Sequence, residues 1–238
     1  MINIDHKNGT IYLSGGMEYA PPDDPLGGKW RLACAKELVN MDYVPLDITA
    51  LDVSYQEKHG DIMGDIRFDT SRSELHRKAA VRQHFIISDI RLLEEDTDAV
   101  ILLYDESARR GAGTISEAQM CFQYDIPLFV VSAWEDWQTE VPSWLHGLST
   151  KVFTDFETLY HYLDNLPERI LTKDLYGNRG AGNEYLCSLS GEVFTKKDDH
   201  FVSTIKPLYS KPAVDVVKET REKMYDRYQH FKDVLEET

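Results

Sequence analysis

The densest concentration of residues able to do chemistry is Tyr104-Asp-Glu-Ser-Ala-Arg-Arg-Gly-Ala-Gly-Thr-Ile-Ser-Glu117. An apolar run ends at Tyr104, a loop with two arginines and two glycines follows, and the pattern predicts a helix from Thr114 onward. First-turn amides point outward and the helix dipole is positive there, so the loop suits an anion. Gly111 and Gly113 let the backbone approach a ligand closely. Arg109 and Arg110 add two guanidinium forks that could clamp a phosphate or a carboxylate. Two readings of Glu117 stand at this point. Thr114-x-x-Glu117 has capping-box spacing, with the glutamate folding back on the N-cap amide. Alternatively the carboxylate faces a ligand. The arginines likewise read either as a clamp or as ordinary surface charge.

The elements that must position these residues alternate between strand and helix. Thr10 to Ser14 is a short strand stopped by Gly15-Gly16. Trp30 to Met41 carries apolar residues at helical spacing (Trp30, Ala33, Cys34, Leu38, Met41), and Tyr43 to Leu46 is a second strand. Asp47 to Ser73 is long, polar and weakly patterned, a candidate lid or partner-contact segment. Glu74 to Glu95 reads as helix. Ala99 to Tyr104 and Pro127 to Ser132 are apolar strands of the kind a parallel sheet buries on both faces. Lys151 to Thr154 suggests an edge strand, and Phe156 to Leu163 a helix.

This alternation predicts an α/β fold, a doubly wound, Rossmann- or flavodoxin-like, mostly parallel sheet. Ligands in such folds lie beyond the carboxyl ends of the strands, here Ser14-Gly15-Gly16, Leu46-Asp47 and Tyr104-Asp105. The pattern changes after about Pro167. Residues 1–166 read as the catalytic domain and 167–238 as an extension. Tyr185 to Leu189 and Glu192 to Thr195 flank Ser190-Gly191 as a hairpin. Val217, Met224, Tyr228, Phe231 and Leu235 then follow at amphipathic-helix spacing.

Composition narrows the function. A chain of 238 residues that is 42% hydrophobic can bury one substantial core. A net charge of −15 disfavours a nucleic-acid polymer, whose phosphates call for concentrated Lys and Arg. Met1 to Asn8 is polar, without the apolar stretch of a signal peptide, and no run approaches the length of a membrane span. Cys34, Cys121 and Cys187 are scattered and in no metal-ligand spacing. The chain reads as cytoplasmic, reduced, metal-free and without a cofactor.

Four segments together resemble the nucleoside 2-deoxyribosyltransferase family, in particular its less-characterised relatives encoded by phages and bacteria. Thr10-Ile-Tyr-Leu-Ser-Gly-Gly-Met-Glu-Tyr-Ala followed by Trp30-Arg31 is similar to the family's first strand and base-binding loop. Tyr43-Val-Pro-Leu-Asp47 is similar to its second strand. Ser88-Asp89-Ile90, leading into Asp98-Ala-Val-Ile, resembles the helix that brings an aspartate to the sugar. Arg110-Gly-Ala-Gly-Thr-Ile-Ser-Glu117, with Ile126-Pro127, resembles the loop and helix bearing a nucleophilic glutamate. Val141-Pro-Ser-Trp144 and Val152 to Phe156 extend the likeness, which covers roughly residues 9–165.

The resemblance implies roles. Glu117 would attack C1′, Asp89 would bind the sugar hydroxyls or orient Glu117, Asp105 would handle the proton on the base, and Tyr12 would hydrogen-bond the glutamate. Ser14, Gly15, Gly16, Met17, Trp30, Asp47, Arg109, Arg110, Gly111, Gly113, Thr114 and Trp144 would line the substrate site. A glutamate in a helix's first turn should stay ionised, as a nucleophile must. The family's shared pockets imply a homodimer or larger, with the segment around Trp144 near a neighbour's site. Thr49 departs from the family, standing where a base-reading glutamine is usual. The paired arginines and Ser116 resemble the related 2′-deoxynucleoside 5′-monophosphate N-glycosidases instead. The expected partners are a nucleoside or nucleotide and a free base or water. The expected activity is cleavage or exchange of the N-glycosidic bond, with hydrolysis of a 5′-monophosphate as one alternative and a non-catalytic nucleotide sensor as another.

Overall fold

The computed structural model describes residues 8–59, 73–82, 86–172, 179–181, 184–195, 201–202, 208–210, 212–213 and 215–217. Five short strands pair in parallel to form the central sheet: β1 (Thr10–Gly15), β2 (Val44–Leu46), β3 (Ala99–Tyr104), β4 (Leu128–Ser132) and β5 (Lys151–Phe153). Their spatial order is β2-β1-β3-β4-β5, the flavodoxin-like doubly wound arrangement. The order reverses between β1 and β3. That pair is in register from Ile11 opposite Ala99 to Gly15 opposite Leu103.

Strand alternation splits the core into two. On one face Ile11, Leu13, Ile101, Phe129, Val131 and Phe153 pack against helix α1 (Gly28–Asn40), through Cys34 and Leu38, and against the helix at Phe156–Asp164, through Leu159 and Leu163. On the other face Tyr12, Val100, Leu102, Tyr104, Leu128 and Val130 pack against Leu93, Ala118, Cys121 and Leu145. Because β3 and β4 are covered on both sides, they run apolar without alternation, interrupted only by Ser132 at the end of β4.

Several boundaries differ from the sequence reading. The fully buried positions of α1 are Arg31, Cys34 and Leu38; Trp30 is half-buried against the first core, and Ala33 is exposed. The polar stretch after Asp47 begins with a helix, α2 (Ile48–His59), which Asp47 starts by accepting from Thr49 N (2.9 Å) and Thr49 Oγ1 (2.7 Å). The rest of the candidate lid, 60–72, lies outside the described residues. The long helix expected over 74–95 comprises α3 (Glu74–Val81) and α4 (Ile87–Arg91), the latter running into a π-helical turn at Leu92–Asp96. Phe85 is outside the described residues.

The arginine loop is itself partly helical: α5 (Glu106–Arg110) is followed at once by α6 (Ala112–Gln123). Beyond β4 come α7 (Trp137–Glu140), α8 (Ser143–Leu148), β5 at the sheet edge as expected, and α9 (Phe156–Asp164). The extension contains the predicted antiparallel hairpin, β6 (Glu184–Leu186) with β7 (Val193–Thr195), and a second, β8 (Phe201–Val202) with β9 (Leu208–Tyr209). It docks on the sheet domain: Ile170, Leu171 and Leu186 belong to the first core. Buried Arg179 donates to the carbonyls of Asp125 (2.9 Å), Leu171 (2.5 Å) and Asp98. Of the predicted C-terminal helix only Val217 is described.

Candidate active site

The site forms where β1 and β3 end and α6 crosses above them. Residues two apart on a strand share a face, so Tyr12 and Ser14 both point toward α6. There they meet Glu117: Tyr12 OH donates to Oε1 at 2.9 Å and Ser14 Oγ donates to Oε2 at 2.5 Å. Each carboxylate oxygen therefore has its own donor, both from the strand and neither from the helix. The side chain is only 8% exposed.

This arrangement rules out the capping-box reading. The N-cap of α6 is Gly111, so Thr114 is the third helical residue and Glu117 lies in the second turn. Its carboxylate bonds a different element, 105 and 103 residues away in sequence. The expectation of an ordinary, easily ionised first-turn glutamate is corrected too. Burial pushes the Glu117 carboxyl above its usual range, against the opposing pull of the Ser14 and Tyr12 hydrogen bonds and the Arg31 charge. Burial, reinforced by the charges of Glu117 and Asp89, holds the Tyr12 phenol well above its ordinary value, so it stays a donor. That influence places Asp89, half-buried on α4, in the electrostatic neighbourhood of the cluster.

Arg31 is the residue that sequence reasoning passed over. It is fully buried and donates to four backbone carbonyls: Leu13 (Nε, 3.2 Å), Gly15 (Nη2, 2.8 Å), Leu26 (Nη1, 2.8 Å) and Gly27 (Nη1, 2.9 Å). It thereby ties the glycine turn after β1 to the start of α1. Its charge is felt by Tyr12 and Glu117. Its place in the buried helical phase, three before Cys34 and seven before Leu38, is the signal that could have found it.

The glycine turn packs tightly on α5. A Cβ at Gly16 would collide with Ser107 and the Ala108 backbone, and one at Gly15 would come within 2.8 Å of Trp30. Met17 is half-buried against the second core. Trp30 stacks on Phe156 (centroids 5.7 Å apart) with the Arg31 guanidinium 4.7 Å from its own ring, so it packs on the first core. Asp105 is the N-cap of α5, its Oδ1 accepting from Ala108 N at 2.8 Å. Ser107, another residue not singled out from sequence, has a buried hydroxyl without a hydrogen-bond partner beside Gly16.

The two arginines diverge. Arg109 pairs with Glu140 (3.2 Å) and lies 5.9 Å from the Trp134 ring, on the β4 side. Arg110 lies 4.2 Å from the Tyr19 ring, on the β1 side. Both sit on the last turn of α5 rather than in an open loop. A side chain added at Gly113 would meet nothing within 4 Å, so the start of α6 is unobstructed there. Trp144 is 68% exposed on α8, away from both cores.

The fold and site thus define a doubly wound α/β protein with a buried, strand-held carboxylate at the topological switch point. Among the described residues, no group of three or more His, Cys, Asp or Glu could hold a metal ion, and no helix is long and apolar enough to cross a membrane. No protein-family model matches the chain, and no curated protein matches it in sequence.

Proposed function

We propose that this protein cleaves or exchanges the N-glycosidic bond of a 2′-deoxynucleoside or nucleotide, with Glu117 as the nucleophile. The observation that carries the proposal is the Tyr12–Glu117–Ser14 cluster, a carboxylate fixed by two hydroxyls at the strand ends where this fold class binds ligands. In the first step a Glu117 oxygen bonds C1′, the C1′–N bond breaks, and its electron pair leaves with the base, which takes up a proton. In the second, another base or water attacks C1′ and gives up a proton, the C1′–O bond to Glu117 breaks, and the carboxylate is regenerated. Oxocarbenium character at C1′ is what a nearby carboxylate stabilises. Tyr12 and Ser14 would hold the carboxylate in line, and Asp89 would bind the sugar hydroxyls. Asp105 uses one oxygen as a cap, and the proposal assigns its other oxygen to the proton on the base.

One observation favours the 5′-monophosphate as substrate. Arg110 leans toward the glycine turn side, and among the described residues no carboxylate pairs with it. Incubation with a panel of nucleosides and monophosphates, with and without free bases, tests both readings. Base release only with an acceptor means transfer, release without one means hydrolysis, and binding without turnover would overturn the enzyme proposal.

A further inference from the structure

The two hairpins of the extension meet at one thiol. Cys187 follows β6 and is fully buried. The turn after it closes with Gly191 N donating to Cys187 O (2.9 Å) and Cys187 N donating to Glu192 O (2.8 Å). Gly191 takes φ +67, a conformation that side-chain-bearing residues rarely adopt. From the second hairpin, Ser210 N donates to Cys187 Sγ at 3.3 Å. The backbone turns helical at Pro212 and Ala213, and Ala213 packs with Cys187 and Phe194 in one small core.

These positions have a recognisable spacing. Cys187-x2-Ser190 and Ser210-x2-Ala213 are separated by nineteen residues. Structural zinc sites of the ribbon type use C-x2-C, then fifteen to twenty residues, then C-x2-C. The three cysteines of this chain do not make that pattern, but four positions around one of them do. The local chemistry agrees. The Ser210 hydroxyl, on a residue only 5% exposed, is buried without a hydrogen-bond partner. The Ser210 amide thus donates to the sulfur on the side where a bound cation would otherwise sit.

We propose that the two hairpins and the helix start form a four-ligand metal knuckle that keeps its shape without metal. Positions 187, 190, 210 and 213 are its corners, and only Cys187 retains a sulfur ligand. Hydrogen bonds to Sγ and packing of Ala213 replace the ion. The corners would accept a soft divalent cation such as Zn²⁺ or Co²⁺ once the missing thiols were supplied, each thiol releasing its proton on coordination.

The test is restoration in the full chain, S190C/S210C/A213C, titrated with Co²⁺ and then Zn²⁺. The expected result is one Co²⁺ per chain with intense thiolate charge-transfer absorption, displacement by Zn²⁺, and a Zn²⁺-dependent rise in Tm. The wild type should bind neither ion stoichiometrically, and its Tm should not change with a chelator. A folded triple variant without charge-transfer bands overturns the proposal, as does a wild-type chain that holds one Zn²⁺. Should the triple variant fail to fold, S190C/S210C offers three thiolates and is read in the same way.

Discussion

A carboxylate that bonds its own helix and one held by another strand respond differently to removal. Glu117→Gln keeps the size of the side chain and one acceptor oxygen, and a hydroxyl facing the new amide can turn to accept from it, so the fold should survive. Turnover of the proposed reaction should fall on the order of a thousandfold or more. Retained turnover in the folded variant would refute the nucleophile assignment. The raised pKa of Glu117 gives a second handle. Between the unfolded and folded pKa values, the native state still holds a proton that the unfolded chain has lost. The resulting stability is fully present below the unfolded pKa and is lost as pH rises through the folded one. Glu117→Gln never ionises, so its stability should gain on the wild type across that window. The gain should be about 1.4 kcal/mol for each unit by which the pKa is raised. Urea denaturation at a series of pH values would reveal this, and a difference flat with pH would contradict it. Arg31 calls for the opposite expectation. Arg31→Met preserves length but leaves the carbonyls of Leu13, Gly15, Leu26 and Gly27 without that donor. At about 1–3 kcal/mol for each buried group left unsatisfied, unfolding at a much lower urea concentration is expected. Arg31→Lys should rescue little, because a compact ammonium cannot span carbonyls set out for a planar fork.

Between elements, the critical contact is the glycine turn against α5. Gly16→Ala places a methyl group against Ser107 and the Ala108 backbone, which cannot rotate away as a side-chain end could. A loss of about 1–3 kcal/mol is expected from overpacking, with reduced turnover as α5 shifts. An unchanged melting temperature would show that the turn has slack. The two arginines of α5 make a paired test. Arg110→Ala should weaken monophosphate binding about ten- to a hundredfold, equivalent to roughly 1.5–3 kcal/mol, and spare nucleosides. Arg109→Ala should do less, being held by Glu140 on the far side. Equal losses on both ligands, measured by calorimetry, would mean that α5 has merely come loose. How much of this was legible from sequence depended on burial. β3 was readable residue for residue, because its run from Ala99 to Tyr104 holds no charged or small polar residue to blur its ends. α2 was not, since its apolar residues follow no helical stripe. α5 is too short for periodicity to show. Arg31 was missed because a charge in a buried helical phase reads as an interruption of the pattern. Glu117 could be singled out, but its spacing alone left the capping reading open. Thr114 and Glu117 have capping-box spacing by coincidence, and only the true helix start at Ala112 separates the two readings.

For the whole molecule, the exposed indole of Trp144 marks the surface where assembly is expected. A large aromatic projecting from a short helix is the kind of anchor that interfaces use. Light scattering at micromolar concentration should report a homodimer or larger, and Trp144→Asp should shift it toward monomer. A monomeric wild type would mean that each site is completed within one chain. The extension is pinned by Arg179, and its turn lies against Lys151 of β5 and Tyr162 of α9, whose OH donates to Gly191 O at 2.5 Å. Beside that turn an open groove of about 770 Å³ runs along α9, lined by His161, Tyr162, Leu166 and Val193. The Tyr12–Glu117 bond joins residues 105 apart in the chain. No local segment can make it, and it exists only once β1 has paired with β3 and α6 has closed over them. Forming such a contact carries a loop-closure penalty before it returns any stability, so it belongs late in folding. The carboxylate cluster is therefore a clock for the refolding chain: helical signal should return first, and the proposed activity only with the last cooperative step.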